Sequence, residues 1–551
     1  MVYSLRNFSF KTIADKIDWK LLLFLMLFLD VKLAVKIPAL ILIYLLRFNF
    51  RFNFSLKNSR LPLFYLVIIG VSFISLLVNQ SYHSANYLPL FFMGIIFWAL
   101  CLLAIHQVKL SVETNSAEAL HRTVLVFFII NLAFSFFNIA HIIWETGAIN
   151  PYRYQGEYQK YFIGTGDYIR GLTFDTSTTN AVLNAFGVVY FLSRKNWVMV
   201  LACMAVLLLT GSNFTNLALM AVLGLLFIFR STKDQKSIIV VCLMFLVVFM
   251  AKVSPQNNMY AYETFKNAIE PPKVVAPPPV ADETKVNQVL SPEDSRRAFA
   301  KKYLDSIKNA RNKMAMAPAK PAAPIPSVGQ GRIIVPGPDI NTPPYQTPID
   351  TSAEQRQLLA FIDHHESELP ISSKNTFSWG LPGKGIAMLQ TVAFLRHNPV
   401  KIAAGDGLGN FSSKLAFKAT GLGLEGGYPS KFVFINKDFI MNHLDVYLNF
   451  FSKRAELHSL TNSPFSVYDQ LLAEYGLLGL AAFVLFYIWF FARHYKKLTY
   501  GLPLLMLMLA VFFIDYWFEQ LSVIVFFELL LLLNIKETLP SSPINYVPSR
   551  A

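Results

Sequence analysis

The feature that most constrains this chain is the recurrence of apolar runs of membrane-crossing length. They lie near residues 61–78, 88–105, 122–144, 177–193, 197–211, 214–229, 237–252, 468–492, 501–514 and 521–535. In hydrocarbon every backbone N–H and C=O must be satisfied within its own segment, so such runs are read as helices. The composition agrees: 54% of the 551 residues are hydrophobic and only 15% are charged, too few charges for a soluble surface of this size. The expected fold is an all-α polytopic membrane protein. The N-terminal MVYSLRNFSFKTIADKIDWK is basic and amphipathic, and no small-residue cleavage pattern follows the first apolar run. A cleavable signal peptide is therefore not expected.

The stretch Lys20–Phe48 is apolar except for Asp30, Lys32 and Lys36, and reads either as one helix or as a hairpin. Loop charge decides. Arg6, Lys11, Lys16 and Lys20 precede it, and Arg47, Arg51, Lys57 and Arg60 follow it. If both basic segments are cytoplasmic, an even number of crossings separates them, which makes a hairpin of two short helices. The alternation then continues. Residues 79–87 lack Lys and Arg and fall outside. Arg194, Lys195, Arg230, Lys233, Lys236, Arg493, Lys496 and Lys497 fall inside, and acidic 515–520 falls outside. About twelve spans with both termini cytoplasmic result, with the large loop outside. The net charge of +15 is absorbed by this orientation and is not read as a nucleic-acid footprint. Cys101, Cys203 and Cys242 all fall in apolar runs, so neither a disulfide framework nor a cysteine-based metal site is expected.

Three parts follow: a membrane bundle over 1–252 with an external loop at 145–176, a loop domain over 253–467, and C-terminal helices with a short cytoplasmic tail over 468–551. Within the loop domain, 270–350 is too rich in Pro and Ala to build a core, and a basic helix-like piece at 291–314 interrupts it. Beyond it, helices are expected over 352–366, 384–397 and 436–453, with Ser352 as an N-cap.

Four stretches carry polar residues where chemistry could sit. Gly405, Gly407 and Gly409 alternate in GDGLGN after the helix stop Asn398-Pro399; such a turn lets amides approach a ligand or packs tightly on the membrane helices. Arg170 precedes a helix that starts with Thr and Asn side chains. It either snorkels at the interface or holds a phosphate there with its fork of donors. Thr210, Ser212, Asn213, Thr215 and Asn216 break an apolar stretch and make either a turn or one wall of a cavity. In FSVYDQLLAEYGLLGL, from Phe465, Glu474 sits where loop becomes helix, either accepting from a substrate hydroxyl or capping a helix dipole. Gly476 and Gly479, three apart, are expected to let that helix pack closely on a neighbour.

In their order along the chain these pieces resemble the O-antigen ligase and O-antigen polymerase superfamily of bacterial envelopes. The features are about twelve spans with a large loop before the last three, the turn Arg170 to Phe174 with Asn180 behind it, Gly211-Ser212 after an apolar helix, Asn398 to Phe411, and Leu471 to Leu480. Residues 255–380 have no counterpart in that pattern. The resemblance implies a metal-independent membrane glycosyltransferase needing no cofactor. It would move a glycan from undecaprenyl pyrophosphate to an acceptor glycan or a lipid A-core, among membrane lipids and envelope-assembly proteins. It implies catalytic Arg170, Glu474 and His458, and substrate binding by Lys384, Arg396, Asn213, Gly405, Gly407, Gly409 and Ser466.

Three departures matter. Asn213 stands where the family has Arg, and Lys384 stands for another Arg, keeping charge but losing the bidentate fork. Phe465 stands where ligases carry His; His443 and His458 are near in sequence. This favours polymerase, with ligase or protein-glycosylating transferase as the alternative. A lipid-linked-glycan flippase and a non-catalytic relative remain open beside it.

Overall fold

The computed structural model describes residues 16–29, 32–153, 166, 168–174, 176–253, 383–419, 434, 436–443, 446 and 463–538. The Pro-rich stretch 270–350, the basic piece 291–314, the helix expected over 352–366, Asp30, Asp175 and His458 lie outside the described residues. Among the described residues the protein is all helical, with no strand.

The stretch over Lys20–Phe48 is two helices, α1 (Trp19–Phe28) and α2 (Leu33–Leu46), packed on each other. Lys20 Nζ donates to Leu46 O at 2.9 Å across the open end of this hairpin. At its closed end Lys36 Nζ donates to Phe28 O and to Ser522 Oγ, each at 2.8 Å. A buried ammonium is tolerated there because carbonyl and hydroxyl oxygens meet it.

The other apolar runs form α3 (Phe64–Val78), α4 (Tyr87–Thr114), α5 (Ala117–Thr146), α6 (Ser177–Ser193), α7 (Trp197–Leu209), α8 (Asn213–Phe229) and α9 (Lys233–Val248). After the loop domain come α14 (Val467–Ala482, continuing to Ala492), α15 (Gly501–Val511), the short α16 (Trp517–Gln520) and α17 (Ser522–Thr538). Starts are set locally: Asp18, Ser116, Thr176 and Asn196 accept from first-turn amides, and Thr232 with Gln235 forms a capping box.

Among the described residues, four helical stretches are long and apolar enough to cross a membrane: Tyr87–Thr114, Ala117–Thr146, Lys233–Val253 and Val467–Ala492. The other apolar helices are shorter. α6 and α17 are buried on almost all sides and form the centre of the bundle. The outside is apolar too: Leu45, Val198 and Phe229 are each 74–77% exposed. A bundle apolar both inside and out is a membrane protein's solution, since such a belt would aggregate in water.

The two ends of the bundle differ. One is tied by cations: Arg47 to Asp18, Arg60 to Glu113, Arg194 and His121 to Glu537, Lys536 to Val112 O and Arg230 to Leu498 O. At the opposite end, residues 383–419 and 436–443 seat on α3 and α14 as a cap. Its helices are α10 (Gly383–His397), α11 (Pro399–Ala404), α12 (Lys414–Ala419) and α13 (Lys437–Asn442). Of the helix expected over 436–453, the described residues are 436–443 and 446; they contain α13, capped by Asn436 and His443.

Candidate functional site

The mouth of α14 organises the capped end. Val467 N–H donates to Phe512 O at 2.9 Å. The helix breaks at Gly476, whose φ of +64° and ψ of −161° are non-helical. The glycine turn docks into this break: Asp406 N–H donates to Ala473 O at 2.9 Å and Gly407 N–H to Glu474 O at 3.0 Å. A Cβ on Gly476 would lie 2.5 Å from Ala403 O, and one on Gly405 (φ +72°) 2.3 Å from the Glu474 carbonyl carbon. Both positions need glycine for their dihedrals and for the backbone approach. The expected close packing on a neighbour holds at Gly476, which lies against Ala403 of α11 and the amide of Gly405. It does not hold at Gly479, where the space faces Tyr475 Cβ of its own helix, 2.2 Å from where a Cβ would stand.

Glu474 is fully buried, and its carboxylate is held by backbone amides. Oε2 accepts from Gly409 N–H at 2.7 Å; Oε1 accepts from Phe411, Ser412 and Ser413 N–H at 3.1, 3.0 and 2.9 Å. The glycine turn is thus an anion cradle, and the anion in it is the chain's own carboxylate. The turn also seats on the membrane helices. Tyr87 OH donates to Leu408 O at 2.8 Å, and Asn79 Nδ2 to Gly405 O at 3.0 Å. Leu408 fills the notch at Gly94, where a Cβ would lie 2.5 Å from its Cδ2. Of the two sequence readings, Gly405, Gly407 and Gly409 make the tight turn on the membrane helices. Glu474 braces that turn and caps α12, so its oxygens are not presented to a substrate hydroxyl.

Lys384 is likewise turned inward. Its Nζ donates to Ser463 O at 3.1 Å, Ser463 Oγ at 2.9 Å, Ile514 O at 3.3 Å and Phe465 O. Burial pulls its pKa down to about 7, against the carboxylates of Asp515 and Asp469. It therefore fastens α10 to the chain entering α14, and a phosphate would have to displace those carbonyls. Phe465 packs between Phe417 and Tyr516, with ring centroids at 5.2 and 4.9 Å. Ser466 precedes α14, and its Oγ has no partner among the described residues. Arg396 is exposed in the last turn of α10. Asn213 opens α8 beside Ser212, whose Oγ contacts Thr215 Oγ1 at 2.8 Å.

Arg170 lies half-buried in a turn built by asparagines. Its N–H and that of Gly171 donate to Asn138 Oδ1 at 3.1 and 2.9 Å, and Leu172 N–H donates to Asn131 Oδ1 at 3.0 Å. Asn180 Nδ2 reaches Ser135 Oγ and Ile169 O, each at 3.0 Å. A Cβ on Gly171 would strike Asn131, Asn180 and Ser135 within 2.8 Å. The network costs little because each buried amide is answered, and it fixes the guanidinium's root at the capped end. The link runs through two helices: Thr179, in the helix that follows, contacts Gln520 of α16 at 3.5 Å, and Gln470 of α14 donates to the neighbouring Glu519.

Some residues of this end were not singled out in the sequence. Asp469 accepts from Thr391 Oγ1 at 2.7 Å and contacts His443 Nε2 at 3.2 Å. Glu519 accepts from Gln470 Nε2 at 2.6 Å. Burial, with Glu474 adding to it, pushes Glu519's pKa up to about 8, although part of its surface stays accessible. Asn131, Ser135 and Asn138 were legible: at i, i+4 and i+7 they share one face of an apolar helix. Asp469 and Glu519 carried no such signal, since their partners lie far away in sequence.

Fold and site define an all-helical membrane protein with a polar, braced cap over one end of its bundle. No family model, no curated protein and no solved structure matches this chain.

Proposed function

We propose that the protein is a membrane glycosyltransferase that moves a glycan from undecaprenyl pyrophosphate to an acceptor sugar on the periplasmic face, extending a surface polysaccharide. The observation that carries this reading is that the Arg170 turn connects through Thr179, Gln520 and Glu519 to the α14 mouth and its glycine turn, at the end opposite the cation-tied loops. By the positive-inside rule that end is the periplasmic one, where lipid-linked glycans are consumed. The inner membrane location, the twelve-span count and the periplasmic loop domain belong to this proposal.

The chemistry needs a cation for the leaving pyrophosphate and an acceptor for the incoming proton. The acceptor hydroxyl attacks the anomeric carbon, the bond from that carbon to the pyrophosphate oxygen breaks, and the lipid pyrophosphate leaves with the electron pair. Arg170 takes the first role. Glu474 is occupied by four amides, so the proton acceptor in this reading is Glu519, a partly accessible carboxyl whose pKa burial pushes up to about 8. Phe465, standing in place of a ligase histidine, favours polymerisation over ligation. Deleting the gene is expected to leave single repeat units on the surface anchor, seen on a polysaccharide gel. Complementation by Arg170→Ala is expected to fail, and by Glu519→Gln to fall about 10²–10⁴-fold in chain extension. An unchanged gel in the deletion strain removes the proposal; full complementation by Arg170→Ala removes its main residue.

A further inference from the structure

A cavity of about 510 Å³ opens beside the glycine turn, between the end of α3, the start of α11 and α13. It lies within the size range of small-molecule sites, roughly 300–1,000 Å³. Its wall is almost free of aromatic rings and rich in amides: Asn79, Asn398, Asn410 and Asn436 all line it. Lys401 Nζ sits between two carboxylates, 2.5 Å from Asp406 Oδ1 and 2.5 Å from Asp438 Oδ2. Burial pushes the Asp406 carboxyl well above the usual carboxylate range, which leaves Lys401 balanced chiefly against Asp438, so the wall suits a neutral ligand.

A second observation points to what is bound. Asp406 and Asn410 are each only 2% exposed, and both line the cavity. Asp406 Oδ2 and Asn410 Oδ1 have no hydrogen-bond partner among the described residues. Asn410 Oδ1 is an acceptor, and a buried acceptor left unmet is costly, so the group that meets it must donate; Asp406 Oδ2, on a carboxyl that burial pushes well above its usual range, can accept or donate. Asn410 Nδ2 is already committed to Asp406 O at 2.9 Å, which fixes the amide with its oxygen free. A carboxyl and an amide lining one cavity match the hydroxyl groups of a sugar ring, while Pro399 and Val400 offer it a small apolar face.

We propose that this cavity is a carbohydrate-binding subsite that holds the acceptor glycan by its hydroxyl groups through Asp406, Asn410 and Asp438. The assignment to the acceptor rests on the transferase reading above; the assignment to a neutral sugar rests on the cavity. Because the cavity adjoins the turn braced by Glu474, it would present the growing chain end at a fixed distance from the α14 mouth.

The test uses the full-length protein in lipid nanodiscs. The probe is a fluorescently tagged oligosaccharide, released by mild acid from the host's own surface polysaccharide. Saturable binding is expected to the wild type and to Arg170→Ala. At least tenfold weaker binding is expected for Asp438→Asn, and for Val400→Trp, which fills the cavity from a position 71% exposed. No saturable binding to the wild type, or wild-type binding by both cavity variants, overturns the subsite. The deletion-strain gel separates the two claims. A normal gel with Asp438-dependent binding keeps the sugar site and removes the transferase. Single repeat units on the gel with binding indifferent to Asp438 and Val400 keep the transferase and remove the subsite.

Discussion

Glu474→Ala is expected to loosen the whole cap. Four amides, those of Gly409, Phe411, Ser412 and Ser413, lose their common acceptor at a site water does not reach. Stripping one partner from a buried charged contact costs roughly 3–5 kcal/mol. The measurable outcomes are a lower thermal midpoint in detergent and faster tryptic cleavage at Lys401, Lys414 and Lys418. Glu474→Gln should fall between. Its carbonyl oxygen can keep the three amides at the Oε1 position, but its NH2 then faces Gly409 N–H, donor against donor, at a cost of about 1–3 kcal/mol. If Glu474→Ala melts and resists trypsin like the wild type yet is inactive, the residue acts chemically and the brace is wrong.

Gly476→Ala and Gly405→Ala are expected to be at least as severe. Each puts a Cβ within 2.5 Å of backbone atoms that hold the cap to α14, and each position has positive φ. Backbone cannot step aside as a side-chain end can, so either the helix break or the turn must open. A loss of more than about 3 kcal/mol places these among the large single-residue effects. Gly70→Ala and Gly224→Ala are the matched controls. Nothing lies within 4 Å of a Cβ at either position, and in a helix alanine gains up to about 1 kcal/mol over glycine. Thermal midpoints of the four purified variants decide it; equal midpoints would show that the cap does not depend on the close approach of the two glycines.

What the sequence made legible was local or counted in charge. The alternation of basic and non-basic loops resolved residues 20–48 into a hairpin, and the hairpin is there. The apolar runs mark most helices to within a few residues at their starts, because caps such as Thr176 and Thr232 sit next to the helices they begin. Tertiary partnership was not legible. An acid at the mouth of an apolar helix reads as an interface group or a catalyst; its partners at Gly409 and Phe411–Ser413 lie 61–65 residues away. Three positive-φ glycines read as a cradle for a ligand, and their spacing carries no sign that the anion is already in the chain. Lys384 reads as a free cation, and only packing reveals the carbonyls of Ser463, Phe465 and Ile514 around it. The asparagine turn under Arg170 lies between these cases. Its α5 face was periodic and readable, while its contact with the 168–174 segment required the fold.

The central claim is that this end of the molecule transfers a glycan off a lipid pyrophosphate. The direct measurement is reconstitution of the purified protein in liposomes with the host's undecaprenyl-pyrophosphate-linked repeat unit. Glycan length and free undecaprenyl pyrophosphate are followed together. The account predicts longer glycans, with one lipid pyrophosphate released per new glycosidic bond, and loss of both products in Arg170→Ala. Donor that stays intact, or lipid pyrophosphate that appears equally with Arg170→Ala, would contradict it.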